Sequence, residues 1–300
     1  MGELEAQLVA SFGPAFERNR PLATLTSFRI GGPADLFVIA NTEQQLSAAL
    51  AAADQHDVPV FCLGAGTNLL VSDRGIRGLV ITLGPGFAYS NIEGNRVVAG
   101  AALQFRTLVE RVVDKGLAGL EFAEGIPGTV GGGLVMNAGA FGGEIARVVS
   151  AVHGITAAGE QRRLSSDEIG FSYRRTVLPR GFVITRVEFT LEPGDRHALW
   201  TRIQTIRAQR AARQPGDYPN AGSVFKNPPG DFAARLLEKS GVKGMRIGAA
   251  AFSCRHANFI INLGGARAED VRRLMDLARD KVRLATGILL EPEVKLVGEW

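Results

Sequence analysis

Strand-like and helix-like patterns alternate along this chain of 300 residues, and such alternation restricts it to folds that mix helices with sheets. The pattern is clearest near the N-terminus. A helical stretch with Thr42 as predicted N-cap and Gln45 as its partner in a capping box is followed by two short apolar runs, VPVFCLG and GLVITLG. We therefore predict a β-α-β type of beginning, with Cys62 in the core, and an α+β or α/β fold.

The rest of the chain continues this alternation. An amphipathic helix, QFRTLVERVVDKG, is predicted to stop at Gly116, and VVSAVHGITAAGEQRRL is predicted to form a hairpin that turns at AAGE. The alternating run FVITRVEFTL indicates a half-buried strand. A domain boundary is predicted near residues 193–195. Beyond it a long helix is predicted to end before Pro215, because a residue that precedes proline disfavours helical backbone angles. In the last third, NAGSVFKNP is predicted as a turn, DFAARLLEKSG and AEDVRRLMDLARDKVRLATG as helices, and NFIINLG and PEVKLVG as strands.

Composition narrows the class of protein. No apolar run is long enough to span a bilayer and the N-terminus has no signal-peptide core, so we predict a cytoplasmic protein with no membrane partner. The two cysteines, Cys62 and Cys254, lack the spacing of a metal site, so no metal is expected. A net charge of +4, without basic runs interleaved with aromatic residues, argues against nucleic acid and suits small anionic ligands. No obligate protein partner is evident.

Two glycine-rich loops are the main signs of a ligand site. The first, LGAGTNLL, has Leu69 where the third glycine of a dinucleotide fingerprint belongs, so it is either a tight connection or a nest of backbone N–H groups for a pyrophosphate. The second, EGIPGTVGGGLVMNAGA, holds six glycines, more than structural turns usually need. We predict that the two loops clamp a dinucleotide such as FAD. The predicted contacts are Gly64, Ala65, Gly66, Thr67, Asn68, Leu69, Gly125, Gly128, Thr129, Gly132, Asn137 and Gly139.

A third stretch, NAGSVFKNP, presents the hydroxyl of Ser223 directly after Gly222, which permits a tight turn. A nucleophilic serine needs a base beside it, normally a histidine oriented by a carboxylate. The four histidines of the chain lie in no triad motif, and no G-x-S-x-G elbow is present. These residues alone leave the role of Ser223 open.

Seven stretches then occur in a characteristic order between Thr26 and Gly298: TSFRIGGPADLFV, LGAGTNLLV, EGIPGTVGGGLVMNAGA, FSYRRT, NAGSVFKNP, RHANFIIN and LEPEVKLVG. Together they resemble the motifs of the UDP-N-acetylenolpyruvoylglucosamine reductases, the MurB family of flavoenzymes. The resemblance implies an α+β fold of the PCMH/vanillyl-alcohol-oxidase FAD-binding type. It implies two FAD-binding subdomains, residues 1–84 and 85–194, and a substrate-binding domain of α+β type, residues 195–300.

The resemblance also implies the reaction and its residues. NADPH would reduce non-covalent FAD, and UDP-N-acetylenolpyruvylglucosamine would then be reduced to UDP-N-acetylmuramate, a peptidoglycan precursor. Ser223 would donate a proton to the enolate, and Arg174 would bind the substrate carboxylate. Glu293 would hydrogen-bond the developing charge if it is protonated, or else position Arg174 or a water. Substrate contacts are implied for Lys226, Asn227 and His256.

One departure from the family pattern and two alternatives accompany this interpretation. Only TVLPRG separates Arg175 from the next strand, so the chain resembles the shorter subtype, which lacks a tyrosine-bearing insertion over the substrate. The arginines of the long helix, Arg207 among them, are expected to form mostly a solvated face. One alternative is another non-covalent flavin oxidoreductase of the same fold. The other is a non-enzymatic nucleotide-binding protein, which would be expected to lack the serine, arginine or glutamate.

Overall fold

The computed structural model describes residues 2–300 of the chain. The helices in this range are α1 (Gly2–Phe12), α2 (Glu43–Gln55), α3 (Phe105–Asp114), α4 (Val130–Val135), α5 (Arg196–Arg213), α6 (Ala233–Lys239) and α7 (Ala268–Thr286). Short 3₁₀ helices lie at Gly13–Ala15, Leu22–Leu25, Pro85–Phe87, Glu121–Ala123, Ile145–Arg147 and Ser166–Glu168. The strands are β1 (Phe16–Pro21), β2 (Pro33–Ala40), β3 (Val60–Leu63), β4 (Leu69–Val71), β5 (Ile76–Leu83), β6 (Ser90–Glu93), β7 (Arg96–Gly100), β8 (Leu117–Ala118), β9 (Gly139–Ala140), β10 (Gly143–Glu144), β11 (Val149–Ile155), β12 (Gln161–Ser165), β13 (Gly170–Ser172), β14 (Arg175–Val177), β15 (Val183–Thr190), β16 (Glu192–Pro193), β17 (Asn220–Ser223), β18 (Arg246–Ile247), β19 (Ala250–Phe252), β20 (Phe259–Asn262) and β21 (Lys295–Val297).

The chain folds into two compact units, and each is assembled from separate stretches of sequence. The first unit comprises Met1–Arg18, Leu36–Ala65 and Gly78–Gln209. The second unit comprises Asn19–Asp35, Gly66–Arg77 and Arg210–Trp300. These units do not coincide with the predicted contiguous stretches 1–84, 85–194 and 195–300, whose division by function stays a prediction.

The first unit contains two hydrophobic cores. One lies beneath α1 and α2 and includes Leu8 and Leu46, together with residues of the four-stranded sheet of order β1-β2-β5-β3. The other lies against an antiparallel sheet of order β12-β11-β15-β7-β6. Helix α3 faces this second core because its apolar residues recur with helical spacing, at Phe105, Leu108, Val109, Val112 and Val113.

The second unit has a core of its own. An antiparallel sheet of order β17-β20-β19-β18 and a parallel pair, β21 with β4, supply the strands. Helix α7 buries Val271, Leu274 and Val282 against this core. It ends at Gly287, whose φ of 76° is a left-handed conformation that glycine adopts without steric cost.

Most elements predicted from the sequence are confirmed. Thr42 caps α2 by accepting a hydrogen bond from the backbone N–H of Gln45 at 3.2 Å. The reciprocal bond of the predicted capping box differs, because the Gln45 side chain accepts from the N–H of Asn41, one residue earlier. The predicted hairpin forms between β11 and β12, and α5 ends before Pro215. In the described chain, 2–300, no helix combines the length and the apolar character that a bilayer crossing requires.

The prediction that Cys62 lies in the core is wrong. It lies on β3, which forms an edge of its sheet, and of that strand only Leu63 is buried. An edge strand has a neighbour on one side only, so an apolar sequence does not ensure burial of every second side chain.

Candidate active site

A cavity of about 270 Å³ lies in the first unit. Apolar side chains form most of its lining, including Leu63, Leu83, Val135, Phe182 and Ile184. Its volume is near the lower limit of ligand pockets, about 300 Å³. The cavity therefore has room for one part of a dinucleotide and not for a whole one.

The cavity brings together residues from both glycine loops. Gly64 and Ala65 line it from the loop after β3, and Thr129 and Gly132 line it from the start of α4. The two loops approach closely, since a Cβ atom built on Gly64 would lie 3.3 Å from Oγ1 of Thr129. Four of the predicted cofactor contacts thus share one cavity although 64 or more positions separate the two pairs in sequence.

Local hydrogen bonds explain why the second loop turns into a helix at this point. Thr129 is the N-cap of α4, and its hydroxyl accepts from the N–H of Gly132 at 3.3 Å. The backbone of Val130 donates to Leu103 at 2.9 Å, and that of Gly131 donates to Ala101 at 2.9 Å. These bonds hold the start of α4 against the segment that follows β7.

The glycines of α4 serve two different purposes. A Cβ on Gly131 would lie 2.9 Å from Cβ of Ala101, and one on Gly133 would lie 2.9 Å from Cε1 of Phe105, so both positions are closed by packing. A Cβ on Gly132 would meet only Oγ1 of Thr129, at 3.5 Å. Because Gly132 also lines the cavity, a side chain there would occupy space open to a ligand.

The other predicted contacts of the second loop lie outside the cavity lining. Gly125 and Gly128 have φ of 70° and 123°, so each marks a turn that favours glycine. A Cβ on Gly139 would lie 2.6 Å from the carbonyl oxygen of Gly143, and Gly139 itself pairs with Glu144 between β9 and β10.

Asn137 is buried, and its amide is used within the first unit. It donates to the carbonyl of Ser172 at 3.0 Å and accepts from the N–H of Ala146 at 3.1 Å. The side chain therefore ties the second glycine loop to the hairpin of β13 and β14.

Cys62 lines the same cavity, and its side chain is exposed to that space. Desolvation of the thiol raises the pKa of Cys62 to about 12, so the group stays protonated at neutral pH.

An ion pair between a buried carboxylate and a half-buried guanidinium lies at the start of the second glycine loop. Glu124 is 1% exposed, and its Oε1 accepts from Nε of Arg207 on α5 at 2.8 Å. The same guanidinium donates to Glu110 of α3 at 2.8 Å, and the hydrogen bond to Glu124 is the first cause of a raised Arg207 pKa. Arg207 is thus not part of the solvated face that the sequence predicts for this helix.

Arg174 occupies the two-residue turn between β13 and β14, after Tyr173. Its φ of 56° lies in the left-handed region, which costs a residue with a Cβ atom about 1–2 kcal/mol. Its guanidinium lies 5.1 Å from the centre of the Tyr173 ring. Strained backbone of this kind concentrates at functional sites, and this signal is absent from the sequence.

Ser223 is the last residue of β17 in the second unit. The pairing of β17 with β20 shifts register between Asn220 and Ser223, where Gly222 takes a φ of 75°. Space around Gly222 is open, because a Cβ there would meet no atom within 4 Å. The predicted tight turn that presents the Ser223 hydroxyl is therefore a bulge in a strand.

Glu293 lies beside this bulge. Its N–H donates to the carbonyl of Val224, the residue after Ser223, at 2.8 Å. Its own carbonyl accepts from Nδ2 of Asn68 at 3.1 Å. The second unit thus places Ser223 and Glu293 on neighbouring segments, although 70 positions separate them in sequence.

The end of the first glycine loop also belongs to the second unit. Gly66 has a φ of 61° and accepts from the N–H of Ser27 at 3.1 Å. Thr67 follows it, and Leu69 begins β4, which pairs with β21 from Lys295 onwards. Of these residues, Asn68 has its side chain directed at Glu293.

The three predicted substrate contacts lie in the second unit, and each has a protein partner. Nζ of Lys226 donates to Glu291, and Oδ1 of Asn227 accepts from the N–H of Ala233 at 3.0 Å, at the start of α6. Nδ1 of His256 accepts from the N–H of Asn258 at 3.2 Å. Burial lowers the pKa of His256.

Asn258 was not predicted from the sequence. It is 3% exposed, and its side-chain amide forms two hydrogen bonds with the backbone of Phe225. The only signal in the sequence was its place within the stretch RHANFIIN.

Two family models match this chain. One, an FAD binding domain, covers residues 34–165, and the other, the C-terminal domain of UDP-N-acetylenolpyruvoylglucosamine reductase, covers residues 214–297. The first match includes all of the cavity-lining glycines, and the second includes Ser223 and Glu293. Together the fold and these matches define an FAD-binding oxidoreductase that acts on an enolpyruvyl substrate.

The relatives identify the family. UDP-N-acetylenolpyruvoylglucosamine reductase 2 of Symbiobacterium thermophilum is 49% identical over 94% of this chain and 92% of that protein. The crystal structure of UDP-N-acetylenolpyruvylglucosamine reductase (MurB) from Thermus caldophilus is 35% identical, with a TM-score of 0.82 over 94% of this chain and 97% of that chain. The chain therefore belongs to the UDP-N-acetylenolpyruvoylglucosamine reductase (MurB) family.

The predicted fold class is also confirmed. BBE-like 1 from Physcomitrella patens has a TM-score of 0.50 at 18% identity, over 63% of this chain and 44% of that chain. At this identity the likeness shows the fold alone, which agrees with the α+β FAD-binding fold of the PCMH/vanillyl-alcohol-oxidase type.

Proposed function

We propose that this protein reduces UDP-N-acetylenolpyruvylglucosamine to UDP-N-acetylmuramate, with NADPH as reductant, FAD as non-covalent cofactor, and Arg174, Ser223 and Glu293 as catalytic residues. The observation that carries the proposal is the hydrogen bond from Glu293 to Val224. It joins the segments of a hydroxyl and a carboxyl group that the sequence keeps far apart. A proton donor and a group that stabilises charge are what the reduction of an enolpyruvyl ether requires.

The first unit is suited to hold part of FAD. The cavity is largely apolar, and at Gly64 and Gly132 the space that a Cβ would take opens into it. We propose that Gly64, Ala65, Thr129 and Gly132 contact the cofactor there. Gly66, Thr67, Asn68, Leu69, Gly125, Gly128, Asn137 and Gly139 are proposed as further contacts or as supports of the two loops. Bound FAD would supply the chemistry of hydride transfer from NADPH to the substrate.

Ser223 supplies the proton in the proposed mechanism. A hydride added to the terminal carbon of the enolpyruvyl double bond leaves negative charge on the adjacent carbon, delocalised into the carboxylate. The Ser223 hydroxyl gives its proton to that carbon, and water then returns a proton to the serine oxygen. A hydroxyl is a weak acid in water, but an enolate is basic enough to take its proton.

Arg174 and Glu293 lower the energy of the enolate. The guanidinium of Arg174 binds the substrate carboxylate through two parallel hydrogen bonds, and a strained turn holds it in a defined position. Glu293, when protonated, donates a hydrogen bond to the carboxylate oxygen on which charge builds.

The remaining assignments complete the proposal. Lys226, Asn227 and His256 are proposed to contact the substrate, and residues 195–300 to form the substrate-binding domain beside two FAD-binding subdomains, 1–84 and 85–194. Because the proposed product is a peptidoglycan precursor, we propose that the protein serves cell-wall biogenesis in the cytoplasm.

An anaerobic visible spectrum tests the proposal. Addition of NADPH is expected to bleach the flavin band, and UDP-N-acetylenolpyruvylglucosamine is expected to restore it. In the Ser223→Ala variant the band is expected to bleach and then fail to return. If Ser223→Ala restores the band at the wild-type rate, Ser223 is not the proton donor. A wild-type band that bleaches but does not return would favour another flavin oxidoreductase of the same fold.

A further inference from the structure

We propose that Asn258 is a positioning residue, which fixes the backbone that carries Ser223 against the backbone that carries Glu293. This inference rests on the proposed function of Ser223 and Glu293. It adds a residue that touches neither the substrate nor the cofactor and acts through the segment between them.

Asn258 forms hydrogen bonds with both residues that follow Ser223. Its Oδ1 accepts from the N–H of Phe225 at 2.9 Å, and its Nδ2 donates to the carbonyl of Phe225 at 2.8 Å. Its own backbone carbonyl accepts from the N–H of Val224 at 2.9 Å. Both residues after Ser223 are therefore held by a single asparagine.

The opposite side of the same segment is held by the residues around Glu293. The carbonyl of Val224 accepts from the N–H of Glu293 at 2.8 Å, and Phe225 forms an isolated antiparallel bridge with Pro292. Val224 thus lies between Asn258 and Glu293. A shift of Asn258 would move Ser223 relative to Glu293.

Regular pairing between β17 and β20 does not extend to Val224 and Phe225. The ladder between β17 and β20 changes register between Asn220 and Ser223, and β17 ends at Ser223. Beyond that point the amide of Asn258 replaces the two backbone bonds that a further pair of strand residues would make. Because the side chain is 3% exposed, water does not compete for these bonds, and their loss leaves two buried backbone groups without partners.

A second asparagine provides a matched control. Asn262 lies in the same unit, is 4% exposed, and forms three side-chain hydrogen bonds, with Phe28, Gly264 and Ala266. None of these bonds involves residues 223–225 or 291–294. A loss of stability alone should therefore affect Asn262→Ala at least as much as Asn258→Ala.

The experiment compares these variants as FAD-loaded enzymes. In Asn258→Ala, the return of the flavin band on addition of UDP-N-acetylenolpyruvylglucosamine is expected to slow about 100-fold, the effect of a misplacement of about 1 Å. Bleaching by NADPH is expected to keep its wild-type rate. The solvent deuterium isotope effect on the slowed step is expected to rise, since proton transfer from a displaced Ser223 limits it. Asn262→Ala is expected to lower Tm without either change.

Hydrogen exchange provides a readout that does not depend on turnover. In the protein without FAD, amides of residues 224–226 and 293–294 are expected to exchange faster in Asn258→Ala than in Asn262→Ala. If Asn258→Ala does not fold, Asn258→Asp, which keeps the acceptor for Phe225 and replaces the donor, is measured in the same way. The inference is overturned if the folded Asn258 variant behaves like Asn262→Ala while Ser223→Ala abolishes the return of the flavin band. If Ser223→Ala itself has no effect, the proposed function fails first.

Discussion

Arg207 of the long helix α5 donates from Nε to a carboxylate oxygen of Glu124 at 2.8 Å, and Glu124 is 1% exposed. Its second oxygen has no hydrogen-bond partner among residues 2–300. The charge of Glu124 thus depends on one guanidinium, directly before the turns at Gly125 and Gly128 that lead to the cavity. Loss of the Arg207 guanidinium would therefore leave a buried charge without its partner beside the second glycine loop.

We expect Arg207→Gln to lower the free energy of unfolding by about 3 kcal/mol, because it leaves a buried carboxylate without its cation. The double variant Glu124→Gln with Arg207→Gln is expected to recover most of this loss. Glu110→Gln is the control, since Glu110 binds the same arginine but is 35% exposed, and it should cost less than about 1 kcal/mol. Urea unfolding measures all three. An equal loss of unfolding free energy in Arg207→Gln and Glu110→Gln would contradict the claim that Arg207 compensates the buried charge of Glu124.

Gly132→Val tests the cofactor cavity. Because a Cβ at Gly132 meets only Thr129, the protein without FAD is expected to fold with a Tm close to that of the wild type. The added side chain fills cavity space, so FAD absorbance after reconstitution is expected to be lost. Gly131→Val is the matched control, expected to lower Tm because its Cβ would lie 2.9 Å from that of Ala101. A Gly132→Val protein that retains stoichiometric FAD would argue against this cavity as the FAD site.

Arg174→Gly separates strain from function. Glycine accepts the φ of 56° at this position without a Cβ clash, so this variant is expected to be about 1 kcal/mol more stable than Arg174→Ala. Both variants are expected to lose substrate reduction, because both lack the guanidinium that binds the substrate carboxylate. Thermal unfolding and steady-state turnover measure the two effects. Equal stability of the two variants would refute the strain, and full turnover in either would refute the catalytic role.

The burial of His256 predicts that the stability of the protein depends on pH. Burial lowers the pKa of His256 in the folded protein below its ordinary value of 6.5. The unfolded chain therefore binds a proton at a higher pH than the folded chain does. Stability from this residue is fully present above pH 6.5 and is lost as the pH falls from there toward the folded pKa. Protonation would also break the bond that Nδ1 accepts from Asn258.

The measurement compares Tm between pH 7.5 and 5.5 in the wild type and in His256→Gln. We expect the variant to lose less stability than the wild type across this range. Another half-buried histidine, His153, serves as a control, since it lies beside Glu188 at 2.5 Å and its replacement should leave the His256 contribution in place. Identical pH profiles for wild type and His256→Gln would exclude a His256 contribution.

Local sequence patterns were enough to predict most helices and strands and the residues that belong to the family motifs. Helix α2 could be predicted from its cap at Thr42, and α3 from the spacing of its apolar residues, because caps and periodicity act over a few positions of one chain. The resemblance identified the family that the comparisons show, and it named Arg174, Ser223 and Glu293 before their surroundings were known.

Which of these residues contact one another became evident only from the packing of distant segments. This packing exposed Cys62 to a cavity because β3 is an edge strand, and it placed Arg207 beside the buried carboxylate of Glu124, 83 positions away in sequence. It also made Asn258 the support of Val224 and Phe225. Such contacts depend on which segments pack side by side, and local sequence patterns carry no information on partners so distant in the chain.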